Sequence, residues 1–87
     1  MSATAAHHID VTSPAYRELA RTEETPANYG ATKPRCRRLK LQWPDASVTY
    51  DFAFGRNVGA CRRTAQHRAD LWRDLGAVVL SIEVQKW

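Results

Sequence analysis

From Arg35 to Trp87 the chain alternates apolar and polar residues, switches to a period near 3.6, and then alternates again. Few architectures accept that pattern, because two half-buried strands, one long amphipathic helix and a third strand must share one apolar interface. The expected fold is α+β: a small β-β-α-β domain, with a three-stranded sheet and one long helix packed on one of its faces. A short N-terminal helix and a loop precede it. The expected division is an N-terminal segment over 1–34, partly flexible, and a basic β-β-α-β body over 35–87.

Within the first strand Leu39, Leu41 and Trp43 share a face, and Arg38, Lys40 and Gln42 the other. In the second, Val48, Tyr50, Phe52 and Phe54 alternate with Thr49, Asp51 and Ala53. Pro44, Asp45, Ala46 and Ser47 make the turn, with proline presetting φ and aspartate able to bond to the backbone. Apolar parity then pairs Trp43 with Val48, Leu41 with Tyr50 and Leu39 with Phe52, leaving Lys40 opposite Asp51. All four aromatics fall under the helix in that register. The last strand, from Ala77, is expected to turn Val78, Leu80, Ile82 and Val84 inward, with Glu83 and Trp87 outward.

Asn57 is a suitable N-cap and Gly76 a suitable residue just past the helix end. Between them Val58, Cys61, Ala65, Ala69, Trp72 and Leu75 form the apolar face. Arg62, Arg63, Gln66, His67, Asp70, Arg73 and Asp74 form the polar one. Arg68 projects from the apolar side, placed to snorkel past the core edge or to stack on Trp72. Upstream, Ser13-Pro14 is a helix start, and a helix to about Glu24 puts Tyr16, Leu19 and Ala20 on one side. Thr25 to Pro34 reads as loop.

At 87 residues the chain is one small domain, of a size that buries about 60% of its unfolded surface. Eleven of its thirteen Lys and Arg lie beyond residue 32, where they outnumber the acids, whereas the first 32 residues are net acidic. A basic body of this kind suits a polyanion or an acidic protein surface. Met1 to Ala6 lack the charged and apolar regions of a secretory signal, and no run approaches the roughly 20 apolar residues of a membrane span. The expected location is cytoplasmic, with no membrane partner and with Cys36 and Cys61 as free thiols.

The charge order of the long helix opposes its dipole: Arg56, Arg62 and Arg63 near the N-terminus, Asp70 and Asp74 near the C-terminus. A broken local rule marks a candidate for function. The expected binding surface is Arg56, Arg62, Arg63, Gln66 and Arg73 on the helix, with Arg35, Arg38 and Lys40 from the run KPRCRRLK. Exposed aromatics for base stacking are not expected, since the register above covers them.

No catalytic set, cofactor site or metal site is expected. His7, His8, His67, Cys36 and Cys61 show no ligand spacing, and Cys61 and His67 fall on opposite helix faces. Asp51 and Glu83 are expected on the outer sheet face with Lys40. Pro44-Asp45 with the EVQK ending resembles the PD-(D/E)xK nuclease pattern, and the AQHRADLWRDLGAVVLSIEV segment resembles the helix-glycine-strand ending of small nuclease domains. Glu83 and Lys86, however, lie three apart on opposite strand faces, and Asp45 sits at a hairpin tip.

The chain is therefore expected to be a small non-enzymatic binding protein whose basic surface docks on nucleic acid or a nucleoprotein complex. The alternative is an inhibitor of the phage or mobile-element type that binds a host enzyme or assembly. In size and plainness the chain resembles anti-CRISPR-like or antitoxin-like proteins. A homodimer through a strand edge is a further possibility.

Overall fold

A computed structural model describes residues 9–23 and 34–85. Helix α1 (Pro14–Arg21) is followed by strands β1 (Arg35–Gln42) and β2 (Val48–Gly55), helix α2 (Val58–Asp74) and strand β3 (Val78–Gln85). The sheet order is β2-β1-β3, with β1 antiparallel to both neighbours. Strands β2 and β3 consequently run parallel, joined through α2 across the central strand. The α+β architecture and the β-β-α-β order agree with the periodicity.

Helix ends are set by the residues their sequence signals name. Ser13 caps α1, its Oγ accepting from Tyr16 N at 3.2 Å. Asn57 caps α2 by accepting from Ala60 N at 2.8 Å. At the other end of α2, Ala77 N donates to Trp72 O at 3.1 Å and Gly76 N to Arg73 O at 3.0 Å. Gly76 takes φ 99°, the left-handed conformation that lets the last carbonyls be satisfied while the chain turns into β3.

The core lies between sheet and helix. Leu39, Leu41, Trp43, Ala53, Ala65, Ala69 and Ala77 are buried together, with Ile9, Trp72, Leu75, Val79 and Ile82 packed at their margin. Trp43 and Trp72 meet edge to face, centroids 5.8 Å apart and planes at 87°. Where β2 passes into α2 the backbones approach closely: a Cβ on Gly55 would lie 2.3 Å from Cys61 N. Helix α1 docks on α2 through buried Leu19, so these upstream residues belong to the folded body.

The hairpin register differs from the one apolar parity suggests. Gln42 pairs with Val48, Leu41 with Thr49, Lys40 with Tyr50, Leu39 with Asp51 and Arg38 with Phe52. The shift is one residue, so β2 is turned over: Thr49, Asp51 and Ala53 face the helix, while Val48, Tyr50 and Phe52 are exposed on the other side. Phe54 also lies on the outer row but is buried.

The turn explains part of this. Trp43 N donates to Ser47 O at 3.0 Å, leaving a three-residue loop, Pro44 to Ala46, rather than four. Asp45 Oδ1 accepts from Ser47 N at 3.0 Å and from Ser47 Oγ at 2.6 Å, and Ala46 adopts φ 71°. Polar demand inside the interface explains the rest. The indole N–H of Trp43 needs an acceptor and finds Thr49 Oγ1 at 2.9 Å, while the Arg68 guanidinium and the Trp72 indole N–H donate to Asp51. The other register would take these acceptors from three side chains, at about 1–3 kcal/mol for each N–H left buried and unpaired.

Strand β3 is likewise corrected. Lys40 pairs with Ser81 but Leu41 with Val79, so Leu80 is bulged out of the ladder. Val79 and Ile82 pack on the core, and Val78, Leu80 and Val84 are exposed. Of the four residues expected inward, Ile82 packs on the core, Val84 shares its sheet face but is exposed, and Val78 and Leu80 are displaced.

Candidate functional site

Two basic surfaces lie on opposite sides of the body, separated by the sheet–helix interface. The first belongs to α2 and the end of the sheet beside its N-terminus. Arg35 is opposite Gly55 in the ladder and exposed, and Arg56 follows Gly55 directly and is also exposed. Because Gly55 abuts Cys61, these two arginines sit at the same end of the body as Arg62 and Arg63. Gln66 is exposed one turn further along α2. Arg73 stands apart near the helix C-terminus and is paired with Asp70 at 3.0 Å.

No acidic residue occupies the first turn of α2, so the positive end of its dipole adds to these charges. Arg62 and Arg63 have no carboxylate partner among the described residues. Lys33 and Lys86 lie outside the described residues.

The second surface is the outer face of the sheet. Arg38 and Lys40 project from the central strand and Tyr50 and Phe52 from β2, the two rings being 48% and 45% exposed. The Arg38 guanidinium carbon stands 4.6 Å from the Tyr50 ring centroid. Glu83 Oε1, across on β3, accepts from Arg38 Nη2 at 2.6 Å and from Nε at 3.1 Å. That bonding holds the Glu83 carboxyl below its ordinary range, with Lys40 adding to the effect. Val48, Val78 and Leu80 leave apolar surface beside this polar centre.

This arrangement overturns two expectations. The aromatics of β2 were expected beneath the helix, and Tyr50 and Phe52 are instead on the open face. Asp51 was expected beside Glu83 on the outer face, and it faces the helix instead, so the sheet carries no such carboxylate pair. Trp87 lies outside the described residues. Among those described, no three His, Cys, Asp or Glu side chains gather as a metal site.

Arg68 is the residue whose role the periodicity leaves open. It is 5% exposed and fully engaged. Nε and Nη2 donate to Asp51 at 2.6 and 3.2 Å, and Nη1 donates to Leu19 O at 3.1 Å and Thr22 Oγ1 at 3.2 Å. One side chain thus joins β2, α2 and the end of α1. It is neither stacked at the core edge nor offered to a ligand.

The thiols of Cys36 and Cys61 are buried, and burial pushes both above the ordinary thiol range. Cys61 Sγ donates to Ala53 O at 3.5 Å. A protonated, covered thiol is a poor nucleophile.

No family model, curated protein or solved structure matches this chain.

Proposed function

We propose that the protein is a small non-enzymatic binding module whose basic surface docks on nucleic acid or a nucleoprotein complex. The carrying observation is the state of Arg62 and Arg63, exposed at the positive end of α2 and without a carboxylate partner among the described residues. Asp51, Glu18, Glu83 and Asp70 are each engaged by arginines within the fold. The folded surface therefore keeps an excess of positive charge at one end, which a phosphate backbone neutralises with release of counterions.

Titration of labelled single-stranded and duplex oligonucleotides at two salt concentrations tests this. Binding should fall steeply with salt, and Arg62→Glu/Arg63→Glu should weaken it by at least tenfold. Absence of any binding at low salt removes the proposal.

A second reading, an inhibitor acting by protein–protein binding, is favoured by the exposed Val48, Val78 and Leu80. Affinity purification with and without nuclease treatment separates the two: a defined partner that survives nuclease supports the second.

A further inference from the structure

We propose that the outer sheet face is a stacking platform for single-stranded nucleic acid, with one base on Phe52, the next on the Arg38 guanidinium that lies over Tyr50, and the backbone alongside Lys40. The inference rests on the nucleic-acid reading above and adds, opposite the α2 surface, a second contact surface for one ligand form.

The register carries the argument. Lys40 stands directly opposite Tyr50 and Arg38 directly opposite Phe52, all four on the face away from α2. Each half-exposed ring therefore has a cation as its cross-strand neighbour. The two rings are two residues apart on one strand, hence about 6.8 Å apart along it. Two successive unstacked bases thus find the Phe52 ring and the guanidinium over Tyr50, and the phosphate between them finds the Lys40 ammonium, the Arg38 charge being matched by Glu83. Rings beside a cationic track are the parts from which sequence-tolerant single-strand sites are built.

The guanidinium over Tyr50 is held in place by Glu83, so Arg38 is oriented before any ligand arrives. Lys40 has no ion-pair partner among the described residues, which makes it the cation free for a phosphate. A duplex does not suit this face, because its bases are already stacked on one another and the rings cannot reach them. A second copy of the chain suits it less well, since face-to-face pairing brings the Arg38/Lys40 rows of both copies together. A mainly apolar protein partner would leave Lys40 covered and unpaired.

The test is fluorescence anisotropy with a labelled oligothymidylate and oligouridylate of about ten nucleotides, and a duplex control, at low salt. Variants are Tyr50→Leu/Phe52→Leu, which keeps apolar bulk but removes the rings, Tyr50→Phe, which keeps the ring, and Lys40→Gln. Circular dichroism melting shows that each is folded. The expected result is single-strand binding that weakens on the order of tenfold or more for each ring lost. Tyr50→Phe should retain it, and Lys40→Gln should lower the salt dependence by about one ion.

Single-strand binding unchanged by the leucine pair but lost in Arg62→Glu/Arg63→Glu overturns the platform and leaves the nucleic-acid reading standing. Failure of wild type to bind any oligonucleotide ends both. A dimer in sedimentation that Tyr50→Glu/Phe52→Glu dissociates assigns the face to a second copy and overturns the platform.

Discussion

Arg68 and Asp51 form a two-pronged ion pair inside the sheet–helix interface, with Nε to Oδ2 at 2.6 Å and Nη2 to Oδ1 at 3.2 Å. Trp72 Nε1 donates to the same Oδ2 at 2.7 Å. Removing one member leaves a covered charge uncompensated, so Asp51→Asn or Arg68→Met should cost about 3–5 kcal/mol in urea unfolding. Asp51→Leu/Arg68→Met should be more stable than either single variant. It should still fall short of wild type, because the Trp72 indole N–H then lacks its acceptor.

The hairpin register has its own test. With Phe52 on the open face, Phe52→Ala should cost less than about 1 kcal/mol, the scale of a cross-strand contact. A phenylalanine packed beneath the helix would cost about 3–5 kcal/mol instead. Thermal or urea unfolding of this one variant separates the two registers.

Ala46 closes the β1–β2 loop at φ 71°, a conformation that penalises any side chain carrying a Cβ. Ala46→Gly should therefore raise stability by up to about 1 kcal/mol, despite the added freedom of the unfolded chain. A rise in the urea midpoint at constant slope is the expected observation.

Gly55 is required for the opposite reason, since it needs space. Its missing Cβ would stand 2.3 Å from Cys61 N and 2.6 Å from Cys61 Cα, both backbone atoms that cannot turn aside. Gly55→Ala should destabilise by about 2 kcal/mol or more through displacement of the first turns of α2. Amide shifts across Asn57 to Ala65 should accompany the loss.

Glu18 links α1 to α2. Its carboxylate accepts from Arg21 at 2.9 and 2.8 Å and lies 3.1 Å from His67 Nε2. These bonds, Arg21 foremost, pull the carboxyl from 4.5 down to about 2. A lowered folded-state value means the contribution is present above 4.5 and is lost as pH falls from there through about 2. A carboxyl NMR titration of Glu18 should show the lowered midpoint, and Glu18→Gln should flatten the acid limb of α1 docking.

Most of the architecture was legible before any coordinates. Ser13, Asn57 and Gly76 act where their capping chemistry places them. The faces of β2 were not legible from apolar alternation, because its apolar residues occupy the uncovered side. The signal that would have corrected the register was Arg68: a cation on the apolar side of a helix needs a carboxylate across the interface, and Asp51 was available on β2. Weighing that demand turns the strand over and brings Tyr50 and Phe52 into view. The bulge at Leu80 left no such trace, since Val78, Val79 and Leu80 offer apolar residues to both faces. Of the basic residues, exposure could be read from helix period and strand parity. The partnership of Arg38 with Glu83 could not, because it depends on which strands become neighbours.

The strand order β2-β1-β3 also dictates a sequence of assembly. Pairing of β1 with β2 needs only a short loop to close, whereas β3 reaches β1 only after α2 has been laid across the hairpin. Local closure is fast and distant closure slow. The hairpin should therefore form early, with β3 the last strand to lock and the first to fray, and amide exchange from Val78 to Gln85 should outpace that of β1 facing β2. Glu83 sits on that late strand, so the orientation of Arg38 over Tyr50 is acquired only in the final step of folding.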